Sequence, residues 1–303
     1  MHPENSKRLK CLGPLSETEI INGESYLEFL HTKDYIKRVK MACSCEEQLD
    51  PDTVTSLGSY SAAIYAVGAT IMASDTGDFA IVRPPGHHAH PDHSSGFCIF
   101  NNIAITASKL AKEGKRVLIF DFDGHLGDGT SKIFYTSDQV LYWSIHQYPA
   151  FPGGGYTDEI GEGKGKGFTV NVPLPPGSGD DIFMSAVDTF LTVAKQFDPD
   201  IVAVSAGFDA HLYDLLLDLR VSANSFYKVG MVLRKNFRNI FATLEGGYNV
   251  EYLPKCIYNF LAGINGKAAI YKEEETTSAR AAWEEYILRE GIAINNLSNY
   301  WKF

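Results

Sequence analysis

An α/β fold with a mostly parallel central sheet flanked by helices is what this sequence predicts. Three observations carry that prediction. Short β-rich runs alternate with segments of helical periodicity, the alternation that builds parallel sheets. Several of the runs, VLIF and IVAV among them, are apolar nearly throughout, as strands covered on both faces must be. The chain has 303 residues, 45% hydrophobic and 21% charged, which is ordinary globular composition and a length that one α/β domain reaches.

The strand candidates are, in order, DFAIVR (78–83), RVLIFDFD (116–123), QVLYWSIH (139–146), FTVNVPL (168–174), IVAVSAG (201–207) and NIFATLE (239–245). Between them the spacing predicts helices over roughly 54–74, 101–113, 180–197, 222–236 and 250–263. The helix at 180–197 opens on the acidic pair Asp180 and Asp181, which suits the positive end of a helix dipole. The glycine-rich stretch GEGKGKG (161–167) precedes a strand. Phosphate cradles follow a strand and open a helix, so this one reads as a plain turn. No internal repeat or low-complexity linker divides the chain, and residues 1–303 read as one domain.

Net charge is −10, which argues against direct binding of nucleic acid and would attract a small cationic substrate or a basic peptide. No apolar run approaches the ~20 residues of a membrane span, and the start MHPENSKRLK has no signal-peptide core, so no membrane partner is expected. Five scattered cysteines without a paired CxxC motif fit a reducing, cytoplasmic setting.

The polar residues fall where open α/β sheets bind ligands, beyond the carboxyl ends of the strands. Those ends carry RPPGHHAH (83–90), DFDGHLGDG (121–129), SIH (144–146), SAGFDAH (205–211) and EGGYN (245–249). Asp121, Asp123 and His125 alternate, so an extended chain would point them to one side. Asp209, after the next long apolar strand, could supply a third metal ligand. An Asp₂His site leaves a position for water, as catalytic zinc sites do, although oxygen-rich ligation also suits iron or manganese. His87 and His88 follow a rigid proline turn and are natural proton handlers, with Asp121 and Asp128 as available partners. Tyr248 could donate to a developing oxyanion. Singly, each of these has a bland reading as a helix cap, a surface group or packing. Together they describe a metal-activated water with a histidine base and a tyrosine electrophile, which suits amide hydrolysis.

These residues stand in motifs that resemble the zinc-dependent histone deacetylase family, which also takes in acetylpolyamine amidohydrolases and acetoin utilization proteins. The motifs are HPENSKRL near the start, HTKDYIKRV (31–39), RPPGHHA, GFCIFNN (96–102), DFDGHLGDGT, SIHQYPAFPGGG (144–155), NVPLPPG, SAGFDAH and EGGYN, and they span nearly the whole chain. The resemblance implies the arginase/deacetylase fold and removal of acetyl groups from lysine side chains or polyamines. Its substrate partners would be an acetylated lysine peptide or an acetylpolyamine, and self-association into a homo-oligomer stays open.

The resemblance also implies roles. Asp123, His125 and Asp209 would bind zinc. His87 and His88 would be the tandem histidines, His88 the general base, supported by Asp121 and Asp128. Tyr248 would polarise the acetyl carbonyl, and Gly96, Phe97 and Phe151 would grip the aliphatic part of the acetylated amine. A structural potassium ion would use the Asp121 and Ser144 side chains and the carbonyls of Asp123, His125 and Ile145.

The chain departs from the family pattern in two places. Leu126 stands where a second histidine usually follows the zinc-binding one, which predicts altered packing with the metal retained. The chain also starts at the HPE motif, without the strand and loop that normally precede it. His90 and His93 match no family ligand position and read as surface loop. Two other functions fit the residues less well: a weakly catalytic acyl-lysine binding or scaffold module, and an arginase-like two-manganese hydrolase, which needs more bridging acids than DFDGHLGDG supplies.

Overall fold

The structure, a computed structural model, describes residues 2–14 and 18–303. Six strands, β1 (Phe79–Ala80), β2 (Val117–Asp121), β3 (Val140–Gln147), β4 (Thr169–Leu174), β5 (Ile201–Ala206) and β6 (Ile240–Leu244), form one open sheet in the order β1-β6-β5-β2-β3-β4. Every pairing is parallel. All six strands lie where the apolar runs predict them. β1 is two residues rather than six, because the chain runs on to Arg83-Pro84-Pro85, and proline lacks a ladder donor and restricts the residue before it.

Among the described residues the helices are α1 (Lys7–Lys10), α2 (Lys33–Cys45), α3 (Ser59–Thr76), α4 (Asn102–Lys112), α5 (Asp128–Phe134), α6 (Asp180–Phe197), α7 (Ala223–Asn236), α8 (Leu253–Ile264) and α9 (Arg280–Leu297). The five predicted helices are present, α6 with the boundaries expected of it. Within GEGKGKG, Gly163–Gly165 form a short turn of 3-10 helix just before β4. No helix of the described residues is long and apolar enough to cross a membrane.

Alternation along the strands splits the core between the sheet's two faces. Leu118, Phe120 and Phe122 point into a layer with Trp143, Phe183, Phe226 and Phe260, while Val117 and Ile119 point towards Ile103, Ala107 and Tyr142. Phe122 meets Phe208, Phe226 and Phe260 with ring centres 5.3–5.8 Å apart. Phe226 is fully buried there, so Phe226→Ala should cost ~3–5 kcal/mol. A fall in the urea midpoint of unfolding at constant m-value is the expected reading.

At the far edge, α9 packs on β4. Its buried Arg289 donates from Nη1 to the carbonyls of Tyr148 (2.7 Å) and Pro173 (3.3 Å). Tyr148 starts the loop that carries Phe151, so the last helix braces one wall of the site described next.

Because all strands run the same way, their carboxyl ends share one edge. Asp121 at the end of β2 stands beside Ser144 of β3 on one side and Ser205 of β5 on the other. The segments leaving β2, β5 and β6 therefore converge, and with them Asp123, His125, Asp209 and Tyr248.

Candidate active site

Asp123, His125 and Asp209 each offer a donor atom within 4.8 Å of the others, and all three are buried. His125 Nδ1 lies 2.8 Å from Asp209 Oδ2 and 3.3 Å from Asp123 Oδ1. Backbone donors fix both carboxylates: Gly124 N–H to Asp209 Oδ1 (2.7 Å), Gly246 N–H to Asp123 Oδ2 (2.7 Å) and His125 N–H to Asp123 Oδ1 (2.9 Å). Burial alone would lower the His125 pKa, yet the Asp209 and Asp123 carboxylates outweigh it and hold the ring at about 10. Two buried carboxylates facing one imidazole are short of positive charge, and buried anions persist only with a counter-charge. This donor set, two oxygens and one nitrogen, fits a divalent metal with open coordination positions.

Glycine makes the geometry attainable. A Cβ on Gly207 would overlap the Asp123 carboxylate, and one on Gly246 would overlap that of Asp209. Gly207→Ala should therefore displace Asp123 and weaken metal retention while leaving the fold intact. Titration with a metal-chelating dye is the measurement, and retention equal to the parent protein would show that the carboxylate has other room.

Beside this group sit the tandem histidines, ring centres 4.0 Å apart. Each donates Nδ1–H to its own carboxylate: His87 to Asp121 Oδ2 at 3.1 Å, His88 to Asp128 Oδ1 at 2.7 Å. Tyr142 also donates to Asp121 Oδ2, at 3.0 Å. With Nδ1 protonated, the lone pair of neutral His88 is on Nε2. Burial, seconded by the neighbouring His87 charge, lowers the His88 pKa to about 4. Burial opposes charge on His87 too, but Asp123 and Asp121 overcome it and raise that pKa well above the ordinary value. The two rings are thus pushed in opposite directions.

The Tyr248 ring lies edge-on to Phe97 at 5.7 Å, and its backbone N–H donates to Asp214 Oδ2 at 2.6 Å. Phe97 takes a positive φ of 68°, rare for a residue with a side chain. Gly96 beside it has no room for a Cβ, which would run into the His88 ring. Phe151, 46% exposed, packs edge-on to His88 at 5.2 Å. Gly96 and Phe151 thus lie against the His88 ring and Phe97 against the Tyr248 ring. Asp121 and Ser144 are neighbours in register, Ile145 follows Ser144, and the Ser144 hydroxyl also meets His146 Nδ1 at 2.8 Å. Leu126 is buried in the apolar layer with Tyr142, its methyls against Gly155, and takes no part in the Asp-His-Asp group.

His93 is exposed, and His90, on the same loop, is half-buried. Its Nε2–H donates to Asp128 Oδ2 at 2.8 Å, so Asp128 accepts from two imidazoles at once. The two-residue spacing from His88 was the available signal.

Three further residues support the site without having been foreseen. Arg8, fully buried, lies over the Tyr248 ring at 5.0 Å and donates to the carbonyls of Gly247 (2.6 Å) and Glu245. Glu245 Oε2 accepts from the backbone N–H of Gly86 (2.6 Å) and His87 (3.1 Å), tying β6 to the histidine turn, and burial lifts its pKa to about 7. Asp214 holds the Tyr248 turn through two backbone N–H groups, and burial, then the Asp209 charge, raises its pKa to about 6. A charged residue in a helical or turn-rich segment ordinarily faces water, so nothing local marked these as buried.

The family model of the histone deacetylase domain matches residues 2–264. A probable deacetylase of Archaeoglobus fulgidus is 36% identical, over 94% of this chain and 87% of its own length. A histone deacetylase-like amidohydrolase of Pseudomonas aeruginosa is 34% identical, over 84% of this chain and 73% of its own. Among solved structures, that of the HDA15 HD domain superposes with a TM-score of 0.87 at 30% identity, covering 99% of this chain and 89% of that one.

Proposed function

The chain belongs to the histone deacetylase domain family, and from that premise we propose that it is a zinc-dependent amidohydrolase removing acetyl groups from lysine side chains or polyamines. The observation that carries the reading is the pair of histidines, each bonded to its own carboxylate, beside a buried Asp-His-Asp group.

In this reading Asp123, His125 and Asp209 hold the zinc ion, which when bound supplies Lewis acidity towards water and the acetyl carbonyl. His88 takes a proton from the attacking water at Nε2, the atom its bond to Asp128 leaves free, and hands it to the departing amine. His87, whose pKa Asp123 and Asp121 raise against its burial, offsets negative charge that grows on the acetyl oxygen. The Tyr248 hydroxyl donates to the acetyl oxygen as that oxygen gains charge. Gly96, Phe97 and Phe151 flank the methylene chain of the substrate and exclude water from it. Asp121, Ser144 and the carbonyls of Asp123, His125 and Ile145 would hold a potassium ion that stiffens the end of β2. We read residues 1–303 as one catalytic domain.

The test is an assay of metal-quantified protein on acetyl-lysine peptides and acetylpolyamines in parallel. Turnover on either class is expected, and the net charge of −10 favours cationic substrates of both kinds. Loss of turnover on chelation and its return with zinc are the accompanying signs; full activity in metal-free protein would overturn the reading. Leu126→His should leave metal content unchanged and alter turnover by less than about tenfold, because position 126 faces the apolar layer while proton transfer lies with His88. An inactive parent rescued by that substitution would instead make this chain a binding module.

A further inference from the structure

His90 lies outside the group of residues that would touch metal or substrate, yet it is bonded to the carboxylate that holds His88. Asp128 stands at the start of α5, its two oxygens divided between two rings: Oδ1 to His88 Nδ1 at 2.7 Å and Oδ2 to His90 Nε2 at 2.8 Å. A carboxylate that accepts at one oxygen alone can turn about its Cβ–Cγ bond, and the aim of the ring it holds turns with it. With both oxygens engaged, rotation breaks one bond or the other.

The anchor is itself immobilised. The His90 backbone N–H donates to the His93 carbonyl at 2.9 Å, closing a tight loop, and the two rings stack at 4.2 Å and 10°. The carbonyl just before His90, that of Ala89, accepts from the Asn101 side chain at 3.0 Å. On the other side His90 borders a cavity of about 530 Å³ shared with Leu126, Ser131, Tyr135 and Glu159. Asp128 borders the same cavity, so without the ring its Oδ2 would exchange a fixed donor for mobile water.

We propose that His90 is a positioning residue for the hydrolysis, locking Asp128 from the side opposite the reaction so that His88 presents Nε2 to the attacking water in one orientation. The proposal rests on the deacetylase reading of the site, and its structural half can be read without turnover. It sets His90 apart from His93, whose ring packs on it but makes no bond to Asp128.

The experiment uses the zinc-loaded protein with ¹⁵N-labelled histidine. In the parent, the His88 Nδ1–H should give a slowly exchanging, downfield proton signal, as buried imidazole–carboxylate bonds do. In His90→Leu that signal should shift and broaden, and kcat should fall about tenfold or more with KM within about twofold, the size expected when an outer partner of a site residue is lost. His90→Gln, whose amide can still donate to Oδ2, should restore both. His90→Asn, too short to reach, should behave as the leucine variant does and serves as the removal variant should leucine disturb folding. Either readout remaining at its parental value in both removal variants overturns the assignment. No turnover by the zinc-loaded parent on any acetylated amine would remove the deacetylase reading, while the imidazole signal would still report whether His90 holds Asp128.

Discussion

Asp209→Ala is expected to yield protein that retains no metal through dialysis against a chelator and shows background turnover. The substitution leaves two ligands, Asp123 and His125, and two protein donors rarely keep zinc against a competing chelator. It also frees the Gly124 N–H that bonds Asp209 Oδ1 at 2.7 Å, so the turn presenting Asp123 and His125 loosens as well. Both effects point the same way. Metal content by elemental analysis, before and after chelation, is the measurement. An Asp209→Ala protein that keeps a full equivalent of zinc would remove Asp209 from the ligand set and with it the assigned geometry.

Tyr248→Phe should retain its metal and lose about 10²–10³-fold in kcat, the usual consequence of deleting one oxyanion donor. The ring's supports are unaffected: Phe97 packs edge-on, Arg8 lies over the face, and Asp214 bonds the backbone. Only the hydroxyl is lost. That isolates donation to the acetyl oxygen from packing, and KM should change little, since the donor acts on charge that appears in the transition state. Turnover within a few-fold of the parent would show that the carbonyl is polarised elsewhere.

Much of this arrangement was legible in the sequence, for identifiable reasons. Strands buried on both faces must be apolar throughout, so β2 and β5 stand out as VLIF and IVAV, and parallel packing then forces their ends to one edge. The histidine turn follows β1 and the Asp-x-Asp-x-His run begins at the end of β2, on that same edge, where chemistry-bearing residues are conspicuous. What escaped notice was of other kinds. α9 buries Ala282, Tyr286, Arg289, Ala293 and Leu297, a helical stripe whose small and charged members hide its periodicity. Arg8 and Glu245 are buried through partners more than 150 residues away, at the Glu245 and Gly247 carbonyls and the Gly86 and His87 amides. His90 was read as surface because its partner Asp128 is 38 positions on. A residue's own neighbours in the chain carry no trace of such contacts.

The bond from Arg289 to Pro173 has a consequence for solubility. β4 is the outermost strand beyond β3, and an outermost strand offers its unpaired backbone groups as a template for a neighbouring molecule. The carbonyls of Phe168 and Leu174 bond inward to Tyr142 and Tyr148, so by alternation those of residues 169, 171 and 173 face outward. At 173 proline removes the outward N–H, and Arg289 occupies the outward C=O. The helix α9, beyond the segment matched to the family at residue 264, thus occupies part of the sheet's open edge. Chains cut before Arg280 should aggregate by strand addition at this edge, visible as a concentration-dependent rise in light scattering.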